Sequence, residues 1–459
     1  MTEESTKGER ISGAASKAGD SVENAAAAAA SPSPLPPPEN NHNKRKRDRS
    51  WIWKLIEEQK DSSYTKYPHH PLVQGKILAT APMIEQSDTA FRLLCRKYGS
   101  NLCWTPMIHA HSYVKKHEYR SKLYQNQFLQ KDRPLIAQIA GSNQDILLEC
   151  AQMLLDRGGI DAIDLNLGCP TLTAKRGRYG AYLLPSPHVV DLVRHLAQNL
   201  TCPVTCKVRL VPLSRAKQRE QDAIQKKCHE EGTPYDPVLF DLEASIKLYQ
   251  ALIDAGASML TIHGRTKDMK GEHSRAADRD AIRTVVQKLG DQVPIIANGN
   301  LSSYQDVIKC LQYTKADGCM SSEAILEYPP ALFVPHNEQP PRPGPGRIGI
   351  ARGYMELALQ YPPLQGNGAS GMQCLQMHMN TFLHGEFLPG CEADEDDKEE
   401  FKQELKVIQA SIMSSTTPQD LMAVLDQLEE RQKRNNHDIK KENLTWYYRH
   451  WKVKHTGER

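Results

Sequence analysis

The sequence lacks the long apolar runs that would place it in a membrane. No run among its 459 residues approaches the roughly 18 uninterrupted apolar residues that a spanning helix needs. Residues 1–10 have no apolar core of the kind found in a secretory signal, and early acidic residues are unusual for a mitochondrial transit peptide. We therefore expect no membrane partner and a location in the cytoplasm, the nucleus or both.

Paired cysteine motifs and a strong net charge are also missing. The 11 cysteines include no C-x-x-C pair, so neither a disulfide framework nor a zinc site is indicated, and we expect no metal. The formal net charge of +3, from 58 basic and 55 acidic residues, is too small to argue for nucleic acid by itself. With a mean hydropathy of −0.58, the composition is typical of a globular protein with a polar appendage.

Residues 1–50 are of low complexity and contain an alanine run, a Ser/Pro-rich stretch and a basic cluster from Lys44 to Arg49. Such a segment cannot bury enough apolar surface to offset the entropy lost on ordering, which predicts a disordered tail. The basic cluster is typical of a nuclear localisation signal or of a contact with a polyanion, and equally of a charge run that keeps the tail soluble.

From about residue 76, short apolar runs alternate with amphipathic segments such as 144–157 and 242–255. Near-continuous apolar strands alternating with helices predict a parallel sheet covered by helices, and eight repeats over roughly 250 residues suit an α/β fold of the (β/α)8 TIM barrel type within 70–335. A doubly wound sheet is the alternative, but the G-x-G-x-x-G turn it usually has after its first strand is missing. The predicted strands are Ile77–Met83, Asn101–Ile108, Leu135–Gly141, Ala162–Gly168, Val204–Leu210, Met259–Thr266, Pro294–Asn300 and Gly318–Ser322.

Polar and reactive residues follow these strands where a barrel places its site, at the C-terminal ends. Gly168 and Pro170 bend the chain around Cys169, which favours a cysteine lifted toward the mouth over one packed in the core. Lys207 lies within an apolar strand, where an unpaired ammonium is costly, so we expect a polar partner at the mouth. A lone His263 would more often be a core histidine. Together on successive strand ends, these residues indicate a site for a phosphorylated, planar cofactor.

Motifs at these strand ends carry a family resemblance. They are Ala81-Pro82-Met83, Asn166-Leu167-Gly168-Cys169-Pro170, the run from Ala174 to Ala181, Cys206-Lys207-Val208-Arg209, His263-Gly264-Arg265-Thr266 and Asn298-Gly299-Asn300. The chain resembles the tRNA-dihydrouridine synthase family, most closely its eukaryotic branch that acts on D-loop positions 16 and 17. The resemblance covers about residues 74–335, and the Gly-Cys-Pro segment followed by Ala-Lys-Arg-Gly is its most specific part.

The resemblance implies FMN as cofactor, NADPH as reductant, and reduction of the C5–C6 double bond of a uridine in tRNA to 5,6-dihydrouridine. Reduced flavin would pass a hydride to C6 while Cys169 protonates C5, as a general acid. The implied cofactor contacts are Pro82, Met83 and Ile84 beside the ring, Gln138 and Lys207 at its polar edge, His263 beside the cofactor, Asn298, Gly299 and Asn300 at the ribityl phosphate, and Ser322 and Glu323 after the last strand.

The chain departs from the family pattern in two places. Bacterial relatives typically end the last strand in Gly-Arg, whereas this chain has Ser322-Glu323, as the eukaryotic branch tends to. Because a carboxylate repels a phosphate, we expect Glu323 to point away and backbone N–H groups to make the contact. The charged stretch 212–239 is longer than a usual βα loop and reads as an insertion at the catalytic face, either an RNA contact or a disordered decoration.

Three regions predict contacts with tRNA. Lys175, Arg176 and Arg178 follow the cysteine and would position phosphates at the mouth. After a Pro/Gly linker at 335–347, residues 348–432 have the helical look of the family's RNA-binding domain, or else form an appendage for self-association. In the C-terminal tail, 433–459, aromatic and basic residues interleave, which suits stacking on bases beside phosphates, or else pins the tail to the helices. These residues are Trp446, Arg449, Trp451 and Lys452.

Two other functions are compatible with such a barrel. One is an FMN oxidoreductase that acts on a small molecule, which would need side chains that bind a small carboxylate. The other is a non-catalytic RNA-binding barrel, which would predict loss of Cys169 or of the cofactor positions, and neither loss is seen.

Overall fold

The computed structural model describes residues 49–58, 70–124, 128–184, 186–269, 275–335, 346–363, 371–383 and 395–434. The predicted disordered tail lies outside these residues except for its last two, and so do most of the predicted linker and the whole tail with Trp446, Arg449, Trp451 and Lys452. In the described part of the chain, no helix combines the length and the apolar character needed to cross a membrane.

Within the described residues, nine short strands form one parallel sheet that closes into a barrel. β2 pairs with both β1 and β4, and β3 follows β2 and pairs with β4, so the ring has eight positions. The predicted (β/α)8 barrel is confirmed. The strands are β1 (Ile77–Thr80), β2 (Leu102–Trp104), β3 (Ile108–His109), β4 (Leu135–Ala140), β5 (Ala162–Leu167), β6 (Val204–Arg209), β7 (Ala257–His263), β8 (Ile295–Asn298) and β9 (Gly318–Ser321).

The second predicted strand, 101–108, is divided between β2 and β3. Thr105 still donates its N–H to Ile136 O at 3.0 Å, but Pro106 has no N–H to continue the ladder. The other predicted strands extend too far at their C-terminal ends, by one to three residues, because the last residues of each predicted run, apolar ones such as Leu210 included, lie in the loops.

Helices surround the barrel and continue beyond it. Those at 144–157 and 242–255 have the predicted bounds. Up to the end of the barrel the helices are α1 (Trp51–Glu58), α2 (Thr89–Tyr98), α3 (Ala110–Lys115), α4 (His117–Tyr124), α5 (Gln144–Arg157), α6 (Leu172–Arg176), α7 (His188–Asn199), α8 (Arg215–Glu231), α9 (Leu242–Ala255), α10 (Arg279–Leu289), α11 (Tyr304–Thr314), α12 (Glu323–Glu327) and α13 (Pro330–Phe333). The later helices are α14 (Arg347–Gln360), α15 (Gly371–Leu383), α16 (Glu395–Ser414) and α17 (Pro418–Arg434).

Alternation along the strands divides the apolar residues into two layers. Leu78, Ile163 and Val208 belong to the outer layer, between the strands and the surrounding helices. Ile77, Ala79, Leu102, Trp104, Ile136, Ala162, Met259, Ile296 and Met320 belong to the inner layer. The inner layer fills the N-terminal part of the barrel, so that part is packed core.

Helix α1 packs against this inner layer, a contact that the sequence analysis did not predict. Ile52 is fully buried there, with Trp51 and Trp53 packed beside it. The indole N–H of Trp51 donates to Ser258 O at 3.2 Å, and Arg49 pairs with Asp317 at 3.0 Å. The N-terminal end of the barrel is therefore covered by an apolar helix face.

Helices α14 to α17 pack on one another and, through α14, against α2 of the barrel. Arg352 joins two of them through ion pairs of 2.6 Å each with Asp426 and Glu429. Whether this helical unit binds RNA stays a prediction.

The stretch 212–239 contains the ordered helix α8, so the alternative of a disordered decoration is wrong. Ser214 caps its first turn by accepting the N–H of Lys217, and Gly232 ends it with a left-handed φ of 66°. None of the side chains of α8 is buried. Its role as an RNA contact stays a prediction.

Candidate active site

Polar side chains occupy the inner face of the barrel above the apolar layer. Asp164 Oδ2 accepts a hydrogen bond from Gln138 Nε2 at 2.8 Å, and Asp164 Oδ1 accepts one from Thr205 Oγ1 at 2.6 Å. Gln138 Oε1 in turn accepts from Asn166 Nδ2 at 2.7 Å. These bonds form because parallel pairing sets Gln138 opposite Asp164 and Asp164 opposite Thr205. The result is a connected polar network across β4, β5 and β6.

Asp164 is fully buried at the centre of this network. Burial raises the pKa of its carboxyl to about 6, although the hydrogen bonds from Thr205 and Gln138 and the charge of Lys207 act in the opposite direction. The carboxyl group therefore loses its proton around pH 6, well above the ordinary pKa of 3.8.

Lys207 lies on the inner face of β6, and its predicted polar partner is Asn298. Lys207 Nζ donates to Asn298 Oδ1 at 3.1 Å, and Asn298 Nδ2 donates to Met320 O at 2.8 Å. Burial, together with the charge of Arg209, lowers the pKa of Lys207 to about 8, while Asp164 opposes this shift. Lys207 is therefore a half-buried hydrogen-bond donor on the polar part of the inner face.

Cys169 follows β5 and is half-buried at the mouth of the barrel. Asn166 Oδ1 accepts from the backbone N–H groups of Gly168 at 3.1 Å and Cys169 at 2.9 Å. Arg209 Nε donates to Gly168 O at 2.7 Å, and Thr171 Oγ1 lies 3.3 Å from Cys169 Sγ. The backbone around the thiol is thus held by two neighbouring strands.

The chain after Cys169 leaves the barrel and returns to the same residue. The N–H of Ala181 donates to Cys169 O at 3.1 Å. Gly180 has a φ of 66°, and a Cβ there would lie 2.7 Å from Cys169 O, so glycine is required for this approach. Between these anchors, the predicted RNA contacts Lys175, Arg176 and Arg178 are all exposed.

The ends of β7, β8 and β9 surround a small cavity. Arg265 Nη1 lies 3.2 Å from His263 Nε2, and Arg265 Nη2 donates to Asn300 Oδ1 at 2.6 Å. Gly299 has a φ of 109°, and a Cβ at this position would lie 2.9 Å from His263 Cδ2. The cavity is lined by His263, Arg265, Asn298, Gly299, Asn300, Leu301, Met320, Ser321, Ser322, Glu323 and Ala324.

Glu323, which we expected to point away from the site, is an exposed residue at this cavity, and the direction of its carboxylate relative to a phosphate stays a prediction. Glu323 lines the cavity, and its charge raises the pKa of Arg209 against the stronger lowering by burial and by Arg265.

Pro82, Met83 and Ile84 lie in the loop after β1. Pro82 and Met83 are half-buried, and Ile84 is 40% exposed. Ser87 Oγ accepts the N–H of Met83 at 2.9 Å and donates to Met83 O at 3.0 Å, which fixes the turn. The loop presents an apolar side chain beside the polar strand ends.

The sequence analysis missed Asp164, Arg209 and Thr171 as site residues. Asp164 and Arg209 each lie two residues from a polar residue on the same strand, Asn166 and Lys207, so period-two alternation would have placed them on the inner face. Thr171 gave the signal of a helix cap, since its hydroxyl accepts the N–H of Ala174.

Residues 79–232 and 240–410 match the protein family described as Dihydrouridine synthase (Dus). The chain belongs to the dihydrouridine synthase family. The resemblance of the strand-end motifs is therefore confirmed, and the matched region extends past the barrel into the C-terminal helices.

Curated relatives of this synthase family carry names that specify tRNA positions. The chain is 36% identical over 61% of its length to "tRNA-dihydrouridine(16/17) synthase [NAD(P)(+)]-like" of Rattus norvegicus, spanning 56% of that protein. It is 32% identical over 56% of its length to "tRNA-dihydrouridine(16/17) synthase [NAD(P)(+)]" of Schizosaccharomyces pombe, again spanning 56% of it. A human "tRNA-dihydrouridine(20a/20b) synthase [NAD(P)+]-like" is 30% identical over 57% of this chain and 71% of its own length. The chain thus spans little more than half the length of the first two.

Proposed function

We propose that this synthase reduces the C5–C6 double bond of uridine to 5,6-dihydrouridine in the D-loop of tRNA, at positions 16 and 17, with FMN as cofactor and NADPH as reductant. The observation that carries the proposal is a half-buried Cys169 held at the barrel mouth by Asn166 and Arg209. The printed names of the rat and fission yeast relatives, with their 16/17 positions and NAD(P), support the substrate and the reductant.

The residues present at the strand ends fit FMN. The cavity with Arg265, Asn300 and two serines suits a phosphate, and Gly299 leaves room that a Cβ would fill. Lys207 and Gln138 would serve the polar edge of the ring, and Pro82 to Ile84 its apolar side. When bound and reduced, FMN supplies the hydride that C6 of uridine accepts.

The chain itself supplies the proton that C5 needs, so that one hydride and one proton together saturate the double bond. Cys169 holds this proton on Sγ and gives it up as the general acid. Asn166 and Arg209 fix the backbone on both sides of the thiol. The Thr171 hydroxyl, 3.3 Å from Sγ, can donate to the sulfur once the proton has left.

The exposed Lys175, Arg176 and Arg178 would bind phosphates of the tRNA next to the reacting thiol. Such contacts orient the RNA and carry no base specificity. The helical unit from α14 to α17 would supply a second RNA surface, and the enzyme would work in the cytoplasm, the nucleus or both.

The test is reconstitution. The purified protein, with FMN and NADPH, is incubated with an unmodified tRNA transcript, and dihydrouridine is mapped at nucleotide resolution. We expect product at positions 16 and 17, and none with a transcript in which both are cytidine. NADPH oxidation that leaves every uridine of the tRNA intact would favour the small-molecule oxidoreductase, and a protein that retains no flavin would favour the non-catalytic RNA-binding barrel.

A further inference from the structure

A buried polar cluster lies where the loop after β1 meets the C-terminal helices. Asp88 Oδ2 is 3.0 Å from His378 Nε2, accepts the hydroxyl of Tyr354 at 3.3 Å, and lies 3.8 Å from Cys374 Sγ. The thiol of Cys374 also donates to Glu85 O at 2.9 Å. We refer to Asp88, Tyr354, Cys374 and His378 as the Asp88 cluster; each of these side chains is at most 5% exposed.

The Asp88 cluster holds both ends of a short segment, residues 85–88, of the loop after β1. Asp88 Oδ1 caps α2 by accepting the N–H of Phe91 at 3.1 Å. Glu85, three residues earlier, has a left-handed φ of 61°, an unfavourable conformation for a residue with a side chain. Its carbonyl is bonded by the thiol of Cys374, so a helix of the C-terminal unit stabilises the backbone immediately after Ile84.

Aromatic packing fixes the His378 ring in this position. Phe91 stacks on it with ring centroids 4.9 Å apart, and Tyr354 lies at 4.4 Å. Phe91 belongs to α2, whereas Tyr354 belongs to α14, so the ring lies between the barrel and the C-terminal helices. Two separate parts of the chain thus share one packed polar centre.

Side chains of Asp, Cys and His within 4.8 Å of one another also raise the question of a metal. In this cluster His378 Nε2, the Tyr354 hydroxyl and the Cys374 thiol all approach Asp88 Oδ2 without one, and among the described residues only His378 Nδ1 of the cluster has no hydrogen-bond partner. Burial raises the pKa values of the Cys374 thiol and the Tyr354 hydroxyl well above their ordinary values, which keeps both protons available for donation. A hydrogen-bonded centre therefore explains the arrangement.

We propose that the Asp88 cluster is a positioning device through which the C-terminal helices set the conformation of the loop carrying Pro82, Met83 and Ile84. The expected effect on flavin binding rests on the proposed function, because the proposed function assigns an FMN contact to this loop. The effect on the loop itself does not. Helices expected to bind RNA are, on this proposal, also part of the framework that shapes the cofactor site.

The experiment compares Cys374→Ala, Cys374→Ser and Tyr354→Phe with the wild type, using the full chain. Amide hydrogen exchange of peptides covering 81–88 is measured first on flavin-free protein, where Gln86 and Ser87 donate to Met83 O. We expect exchange about fivefold faster in Cys374→Ala and Tyr354→Phe, the effect of one lost hydrogen bond, and restoration in Cys374→Ser. Thr381→Val is the control, because the hydroxyl of Thr381 bonds to Met377 O within α15 and to no other described residue.

FMN affinity and the flavin absorption spectrum are measured on the same proteins. We expect binding about fivefold weaker in Cys374→Ala, with a shifted spectrum, and neither change in Thr381→Val. Unchanged exchange of 81–88 in both Cys374→Ala and Tyr354→Phe would overturn the proposal, as would about one zinc per chain that disappears in Cys374→Ala. Faster exchange in a protein that binds no FMN would uphold the coupling and reject the proposed function instead.

Discussion

The two ends of the barrel are built from the same strands and differ in what lines the inner face. At the N-terminal end this face carries Ile77, Ala79 and Trp104, covered by Ile52 of α1. At the C-terminal end it carries Asp164, Lys207 and other polar groups joined by hydrogen bonds. Position along a strand therefore decides whether an inward side chain contributes to stability or to chemistry.

The electrostatics of the two ends differ in the same way. Burial of apolar surface at the N-terminal end is favourable without partners. At the C-terminal end burial moves the pKa of Asp164 up to about 6 and that of Lys207 down to about 8. Both pKa shifts arise because burial disfavours the charged form of each group. The favourable packing of the rest of the fold offsets this cost.

The largest effect is expected for Cys169→Ala at the polar end. The variant should lose about 10²–10⁴-fold in the rate of uridine reduction, because the proposed proton donor is gone, and should keep its flavin. Single-turnover assays with prereduced enzyme measure this rate, and absorbance after gel filtration measures flavin content. A near wild-type rate would remove Cys169 from the mechanism.

At the apolar end, Ile52→Ala should lower the free energy of unfolding by about 2–4 kcal/mol, since a fully buried side chain is lost from the inner layer. The rate per folded molecule should stay within about twofold, because α1 is at the opposite end from Cys169. Urea unfolding measures the loss of stability, and single-turnover assays below the melting range measure the rate. Glu58→Ala, on the exposed face of α1, is the control. If Ile52→Ala is stably folded but reacts slowly, the N-terminal end of the barrel contributes to the chemistry, which contradicts the division of roles between the two ends.

Asp164→Asn sharpens the electrostatic side of the comparison. Because the folded pKa of Asp164 is raised from 3.8 to about 6, the associated stability is present below pH 4 and is lost as pH rises through 6. The free energy of unfolding of the wild type should therefore fall by about 2 kcal/mol relative to that of Asp164→Asn between pH 4 and 6.5. Urea unfolding across this range measures the difference, and parallel pH profiles would contradict the assigned shift.

Reversing the charges of Lys175, Arg176 and Arg178 together should weaken tRNA binding about tenfold or more at low salt and flatten its salt dependence, because fewer counterions are released. Binding titrations from 50 to 200 mM salt give the slope. An exposed loop without an RNA partner would leave that slope unchanged.

The smallest effect is expected for Thr171→Val. Loss of the hydroxyl 3.3 Å from Cys169 Sγ should slow uridine reduction about fivefold with unchanged tRNA affinity. Thr171→Ser keeps both the hydroxyl and the helix cap and should react like the wild type. If Thr171→Ser is equally slow, the methyl group matters and the hydroxyl does not.

The barrel could be predicted because its strands are short, apolar and separated by helical periodicity, a local pattern that survives in the sequence. The predicted positions of the strand ends were less accurate, because residues such as Gly168 and Leu210 continue the apolar run but form their hydrogen bonds outside the strand ladder. The burial of α1 was not predictable from its neighbours, because the contact between Ile52 and the inner layer joins distant parts of the chain.

The site followed a similar rule. Lys207 and Asn298 could be placed at the mouth because each ends or nearly ends a strand. Their mutual hydrogen bond could not be predicted, since it passes over β7, which lies between their strands. Asp164 was missed because it lies inside a strand among apolar residues. The Asp88 cluster was missed for another reason: Asp88 and His378 are 290 residues apart, and no periodicity records such a contact.

The bond from Ala181 to Cys169, with Gly180 beneath it, has a consequence for how this enzyme could diversify. Because this hydrogen bond joins the two ends of the loop, the residues between them can be substituted while the thiol of Cys169 keeps its position. Orientation of the RNA, the role we propose for this loop, and proton delivery would then be separable traits, carried by adjacent residues yet open to independent change. Grafting the stretch between Pro170 and Tyr179 from another member of the family would exchange the first trait and leave the second in place.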